Sequence, residues 1–446
     1  MQDTPELDTS SDASFAPEKS LDDRSHRSAL LIVFLVMFID LLGFGIVLPL
    51  LPRYGKEFLE PLFPDASQAA LRGGILGLLM ASFSAMQFLF APIWGRISDR
   101  KGRRPFLLLG LTGSVVSYAL FGIASELGNS GQLALGLVLL FVARIGAGIA
   151  GATVSTAQAV IADSTTPERR SRGMALIGVA FGIGFTFGPI LGAGSLFLFP
   201  QFRGGPGFIA AGLSLIGLIL GLALMPETFR PGVSAGRRNW LNWSGWQRAR
   251  QTPTVALLIL TYFLSTFAFA SFEPTVALAT KDLLHYEDQQ NFWVFAYIGF
   301  ILMLAQGGLY RRLAKRGVAE ITFIIVGTVL MMLGLGAVGG AALWANQSTG
   351  SSSALLVAFL AATTVAVVGF AFVTPSVPAL ISRRTDPTKQ GEVLGVNQSA
   401  NALSRILGPM AGTFLYMLTR SHALPYAVSV AALLVVLILA LRVRQA

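Results

Sequence analysis

The chain lacks cysteine altogether and has only 3 histidines in 446 residues. Without cysteine it can form no disulfide, no thiolate nucleophile and no Cys-ligated zinc site. The three histidines are far apart in the sequence and form no metal-ligand cluster. No P-loop is present, so direct drive by ATP hydrolysis is not expected. We therefore predict no enzymatic activity, no cofactor and no bound metal.

Charge is also scarce. Only 13% of the residues are charged and 53% are hydrophobic, whereas soluble domains carry roughly a quarter charged residues. Most of the surface must therefore face lipid. The net charge of +10 could indicate nucleic acid, but the charges lie in short loops between apolar runs, which argues against that partner.

Apolar runs long enough to cross a bilayer recur along the whole chain, since a spanning helix needs about 20 apolar residues. We predict twelve spans, at 28–52, 73–94, 105–125, 131–162, 173–196, 207–225, 253–280, 291–310, 321–345, 354–382, 393–419 and 421–441.

Lys and Arg concentrate at both chain ends and in alternate loops, which is typical of cytosolic segments. We predict a multi-pass protein of the cell (inner or cytoplasmic) membrane with both termini in the cytosol. The predicted domains are a disordered tail (1–28), a six-helix bundle (29–226), an interfacial linker (227–252), a second six-helix bundle (253–442) and a short tail (443–446).

The two bundles resemble each other in sequence. Gly188-Pro189 with Gly192 in span 5 recurs as Gly408-Pro409 with Gly412 in span 11. The prolines that precede the two runs, Pro167 and Pro387, have the same separation. Several matches at one separation indicate a duplication. Parallel six-span repeats describe one large class of transporters, so we predict an all-α integral membrane protein with two pseudo-symmetric halves.

Four charged residues lie inside predicted spans: Asp40, Arg144, Glu273 and Arg405. A charge at the bilayer centre costs at least ~2.5 kcal/mol, so each needs a partner, a water-filled cavity or a proton. We predict that these four bind protons and substrate. The alternative is a set of static salt bridges between spans; Arg405 could also serve packing alone, since it shares a helix face with the glycines of span 11.

Small residues line spans 4 and 5 at helical spacing, which lets helix backbones approach closely. Pro189 removes a backbone hydrogen bond and permits a kink. We predict packing and gating roles for Gly148, Gly151, Gly184, Gly188, Pro189 and Gly192.

The loop between spans 2 and 3 resembles the signature loop of the major facilitator superfamily. It reads GRISDRKGRRP from Gly95 to Pro105, with Ile97 where Leu is usual. The resemblance implies a loop that latches one conformation, with Asp99 at the positive end of a helix from the other half. The residues concerned are Gly95, Asp99, Arg100, Gly102, Arg103 and Arg104.

Further runs resemble exporters within that superfamily. The run GFTFGPILG at 184–192 looks like their span 5 signature, and FIDLLGFGIVLP at 38–49 looks like the start of the twelve-helix drug:proton antiporters. The first half is most similar to tetracycline exporters, a likeness confined to about residues 30–195. Asp163, after span 4, fits the same pattern.

Two departures bear on the substrate. Tetracycline exporters carry an acid in span 3, where this chain has Ser117, and another in span 9, where 321–345 has none. The antiport that the resemblance implies would therefore rest on Asp40 and Glu273.

The resemblance implies a proton-coupled, monomeric antiporter that exports amphipathic small molecules, a multidrug efflux protein. Its partners would be protons, a small-molecule substrate and the bilayer. The alternatives are an uptake symporter for a sugar or an organic anion, with Arg144 as the substrate ligand, and a lipid or lysolipid flippase.

Overall fold

The computed structural model describes residues 23–163, 170–225, 227, 247, 252–345, 353–386 and 390–445. Its regular structure there is helical throughout. The helices are α1 (Asp23–Val47 and Leu51–Leu62), α2 (Ala69–Lys101), α3 (Arg104–Asn129), α4 (Leu133–Gly151 and Val154–Asp163), α5 (Arg170–Leu198), α6 (Gly205–Leu224), α7 (Pro253–Asp282), α8 (Asp288–Met303, a π-helical turn Leu304–Tyr310, and Arg311–Lys315), α9 (Glu320–Ala345), α10 (Ser353–Arg383), α11 (Gln390–Leu418) and α12 (Leu424–Gln445). A single 3₁₀ turn, Ala66–Gln68, precedes α2.

Each predicted span corresponds to one of these helices, but the ends differ. α1 begins at Asp23, inside the predicted tail. α12 continues to Gln445 through the predicted C-terminal tail, because Arg442 and Arg444 suit the last turn of a helix. Residues 1–22 lie outside the described residues, as does the predicted linker apart from Glu227, Gln247 and Thr252.

Two helices are interrupted where the sequence prediction had them continuous. α1 breaks between Val47 and Leu51, next to Pro49 and Pro52, which lack the backbone N–H that a continuous helix needs. α4 breaks between Gly151 and Val154. The π-helical turn in α8 contains Gly307 and Gly308, which suit irregular backbone.

The helices suit a bilayer. Within the described residues, ten helical stretches are long and apolar enough to span it by length and composition, and Gly182–Leu198 is a shorter apolar helix. Large apolar side chains face outward, among them Phe197 at 72% and Val357 at 66% exposed. An outer surface of this kind is stable in lipid and agrees with the prediction of an all-α integral membrane protein.

We call the end of the bundle where α1 ends and α7 ends the far end, and the opposite end the terminal end. The halves meet along α2 with α11 and along α5 with α8. Glycines allow these approaches. A Cβ on Gly77 would lie 3.0 Å from the Met410 Cα, and a Cβ on Gly299 would lie 2.9 Å from the Thr186 Cα.

Matching contacts inside each half reveal the repeat in three dimensions. Gly188 of α5 lies against the backbone of Gly45 on α1. Gly408 of α11 lies against Ala270 on α7. Since Gly188 and Gly408 correspond in the sequence repeat, Gly45 corresponds approximately to Ala270.

We predict that Gly188→Ala destabilises the protein. The new Cβ would lie 2.8 Å from the backbone of Gly45, and overpacking of this kind costs about 1–3 kcal/mol. The apparent melting temperature in detergent should fall by several degrees.

The matched control is Gly182→Ala on the same helix, because a Cβ there meets nothing within 4 Å. Equal melting temperatures for the two variants would contradict the packing argument.

Candidate transport site

A small cavity of about 60 Å³ lies between the two halves. All four charged residues that the sequence places inside spans line it: Asp40, Glu273, Arg144 and Arg405. Its apolar wall comes mainly from the first half, and includes Phe44, Leu48, Met80 and Phe83. The structure thus brings together four residues that are far apart in the sequence.

Asp40 is held on α1 with an incomplete set of partners. The Ser114 side chain of α3 lines the cavity beside its carboxylate. Its Oδ1 atom is buried and has no hydrogen-bond partner. The Tyr118 hydroxyl donates to the Asp40 backbone carbonyl at 3.4 Å, which fixes α1 against α3 at this depth. A buried carboxylate oxygen without a donor is a ready acceptor for a proton.

Arg144 on α4 is 5% exposed and faces the same cavity. Its guanidinium carbon lies 4.7 Å from the centroid of the Phe83 ring, a cation–π contact. Its Nε atom is buried without a hydrogen-bond partner. The guanidinium is therefore positioned by an aromatic ring and keeps donor capacity for a ligand.

Glu273 lies within electrostatic reach of both Arg405 and Arg144. Among the described residues, however, neither Glu273 nor Asp40 has a basic nitrogen within 4.0 Å. Within that part of the chain, neither carboxylate forms a salt bridge in this conformation. The four charges share a cavity, and no pair among them is locked by a salt bridge in the part of the chain that the structure describes.

Arg405 is exposed to the cavity side of α11. The glycines of the same helix face do the packing, because Gly408 and Gly412 lie against the α7 backbone at Phe267 to Ser271. The structure thus separates the two roles that the sequence left open on this face, with packing at the glycines and a cavity-lining charge at Arg405.

The two carboxylates are not related by the repeat. Since Gly45 corresponds to Ala270, the α7 position that matches Asp40 is Ser265, and the α1 position that matches Glu273 is Leu48. At a rise of 1.5 Å per residue, eight positions along the helix amount to about 12 Å. Asp40 therefore lies nearer the terminal end and Glu273 nearer the far end.

Several polar residues of the cavity were missed by the sequence analysis: Ser84, Gln87, Ser114 and Tyr118. Gln87 was detectable, since an amide in the middle of an apolar span needs a partner, and its Nε2 donates to the Gly151 carbonyl at 3.1 Å. Ser114 and Tyr118 gave no comparable signal, because serine and tyrosine are common in membrane helices.

The loop between α2 and α3 is organised by Gly102, whose φ of +103° favours glycine. The Glu227 carboxylate then accepts hydrogen bonds from the backbone N–H groups of Arg103 at 2.8 Å and Arg104 at 3.1 Å. Asp99 forms an ion pair with Arg103 in its own half. The predicted contact of Asp99 with a helix of the other half stays a prediction for another conformation.

The predicted gating residues lie at several different helix contacts. Gly148 and Gly151 of α4 face α2 at Phe83. Gly184 of α5 lies against Leu41 of α1, and Gly192 lies against Phe292 of the other half. The backbone of Asp163 ends α4, and its side chain lies outside what the structure describes.

The family model of the Major Facilitator Superfamily matches residues 33–348, more than half of the chain. The chain belongs to the major facilitator superfamily. The resemblance predicted from the α2–α3 loop is confirmed, and the protein is a membrane transporter by family.

Two curated relatives illustrate the likeness. Major facilitator superfamily domain-containing protein 10 of Homo sapiens is 29% identical over 89% of this chain and 89% of its own length. The class C tetracycline resistance protein of Escherichia coli is 29% identical over 89% of this chain and 91% of its own. The expectation that the tetracycline-exporter likeness ends near residue 195 was therefore wrong, because single motifs do not reveal a weak similarity that is spread over a whole half.

Solved structures agree with the fold. The human organic anion transporter MFSD10 (TETRAN) superposes with a TM-score of 0.62 at 28% identity, covering 93% of this chain and 99% of its own. A D-xylose–proton symporter superposes with a TM-score of 0.70 at 16% identity, covering 92% and 97%. The second comparison supports the fold alone.

We predict that Glu227→Ala lowers the stability of the first half. Loss of a helix-capping side chain typically costs about 1 kcal/mol, and here one carboxylate serves two backbone donors. The apparent melting temperature in detergent should fall for Glu227→Ala. It should fall less for Glu227→Gln, because the glutamine side chain keeps an acceptor oxygen. Equal losses in the two variants would contradict the capping role.

Proposed function

We propose that the protein is a proton-coupled antiporter that exports amphipathic small molecules by alternating access. The observation that carries this proposal is the pair of carboxylates, Asp40 and Glu273, in one cavity without a basic group within 4.0 Å among the described residues. Such carboxylates can change protonation state as their surroundings change.

The coupling follows from the electrostatics of the cavity. A carboxylate that is buried without a directly paired cation is less stable when ionised, so a dry cavity favours the protonated form of each acid. Entry of a substrate brings polar groups and charge close to Glu273 and so changes the equilibrium between its protonated and ionised forms. Release of the proton on one side and of the substrate on the other then completes exchange without ATP.

The apolar wall supports an amphipathic substrate. Phe44 and Phe83 lie with ring centroids 5.2 Å apart, and Met80 and Leu48 extend the same surface. Apolar lining with a few convergent polar groups is typical of small-molecule sites. The outward direction is supported by the exporter-like run at 184–192 and by the tetracycline resistance relatives.

A second candidate is the transport of organic anions. Arg144 supports it, because a buried guanidinium with an unpartnered Nε can bind a carboxylate. The structural relative MFSD10 is itself described as an organic anion transporter. The two candidates share the cavity and the proton coupling, and differ only in whether the substrate must carry a negative charge.

We predict that purified protein in detergent releases protons when a transported amphipath binds. Release should vanish in Asp40→Asn or in Glu273→Gln, because the amide that replaces the acid has no proton to exchange. A pH-sensitive dye in weakly buffered solution measures it.

Asp65→Asn is the control, since Asp65 is exposed in the loop before α2. Binding of several compounds without proton release in the unmodified protein would contradict antiport and favour a lipid flippase. Proton-driven accumulation of a sugar in proteoliposomes would favour the uptake symporter.

We predict that Arg144→Gln separates the two candidates. If the substrate is an anion, affinity for a carboxylate compound should fall about tenfold or more, while affinity for its neutral amide changes little. Isothermal titration of matched acid and amide pairs measures this difference. The control is Arg420→Gln, which removes an exposed positive charge outside the cavity. Equal losses for acid and amide would contradict the anion hypothesis.

A further inference from the structure

The far end of the bundle is closed by the second segment of α1, Leu51–Leu62, which we call the far-end bolt. This helix contacts α2 and α4 of its own half and α7 of the other half. Its buried face is unusually complete, since Tyr54 and Phe58 are 0% exposed and the charged Arg53 is only 1% exposed. A buried arginine is stable only with compensating partners, so Arg53 should have a counter-charge nearby.

Acidic residues of the second half provide the counter-charges for this helix. The Arg53 Nη1 atom lies 2.5 Å from the Asp288 Oδ1 atom, and the same guanidinium donates to the Tyr286 carbonyl. One turn further, the Lys56 Nζ atom lies 2.6 Å from both carboxylate oxygens of Asp282. Two cations of the first half thus meet two acids at the end of α7 and the start of α8.

The acids of the second half are held in place by their own neighbours. The Tyr416 hydroxyl donates to the Asp282 Oδ2 atom at 2.9 Å. The His422 ring stacks on Tyr416 with centroids 4.2 Å apart, and its Nε2 atom lies 3.9 Å from Asp282. Asp282 is therefore held by residues of its own half as well as by Lys56.

Two further contacts cross at the same level. The Lys281 Nζ atom lies 3.4 Å from Glu57, which is itself held by Arg203 at 2.8 Å. The Asn291 side chain of α8 donates to the Pro49 carbonyl at 2.9 Å, at the break that begins the bolt. Charge and backbone contacts therefore converge on one short helix.

We propose that the far-end bolt is the gate of the transporter, and that Arg53–Asp288 and Lys56–Asp282 are the ion pairs that must separate before the cavity opens to the far side. Buried charges are stable only while paired, so removal of one partner strands the other. Separation on opening becomes possible because water then reaches both partners. The break at Val47 to Leu51 lets the bolt move relative to the part of α1 that carries Asp40.

The chain offers a direct test, because it contains no cysteine. A single reporter, Ala147→Cys, places one thiol on the cavity wall. Oriented proteoliposomes are treated with a membrane-impermeant maleimide from either side, without substrate. We expect slow labelling from the far side in the reporter background and about tenfold or faster labelling after Asp288→Arg, which sets two positive charges against each other.

Charge reversal provides the decisive comparison. The double variant Arg53→Asp with Asp288→Arg restores an opposite pair and should return far-side labelling towards the slow rate. Arg383→Gln is the control, since its ion pair with Glu320 at 2.9 Å lies within the second half. It should leave far-side labelling unchanged.

Far-side labelling of Asp288→Arg at the background rate, or equal rates in the single and double variants, would overturn the proposal. Monodispersity on size exclusion verifies folding. If Asp288→Arg fails to fold, Lys56→Gln carries the same expectation with a milder change, and Ser84→Cys is a second reporter on the cavity wall. Because no substrate or proton gradient is used, this outcome is independent of the proposed antiport.

Discussion

A charged side chain inside a bilayer is stable only where water, a counter-charge or a proton reaches it. The arrangement of this transporter depends on that constraint. Asp40, Arg144, Glu273 and Arg405 each lie on a different helix, and they face one shared cavity rather than lipid. The twelve helices therefore surround these charges, while apolar side chains such as Phe197 cover the outside.

The cavity has its shape because helices approach closely at particular glycines. Gly188 against Gly45 and Gly408 against Ala270 fix the crossing within each half. Gly77 and Gly299 fix the crossings between halves. Small residues at these contacts let the helix backbones approach closely. Close contacts of this kind suit a transporter whose two halves change their relative orientation around a central site.

Charged residues are paired differently in the cavity and at the far end of the molecule. Among the described residues, the acids and arginines of the cavity share space without direct pairing. At the far end Arg53 and Lys56 are firmly paired with Asp288 and Asp282. Both arrangements involve α1, which carries Asp40 in one segment and the far-end bolt in the other. One helix thus connects the cavity to the far end.

The sequence by itself determined the helical membrane class, the duplication and the four intramembrane charges, because lipid imposes long apolar runs and makes each charge conspicuous. Glu227 and the Arg53–Asp288 pair were invisible to it, since polar residues in loops and at helix ends are common and their partners are far away in the chain. Only the tertiary structure decided that Asp40 and Glu273 differ in depth by about 12 Å, from eight helical positions. The reason is physical: depth depends on which glycines touch across helices, and sequence spacing within one helix contains no information about its neighbour.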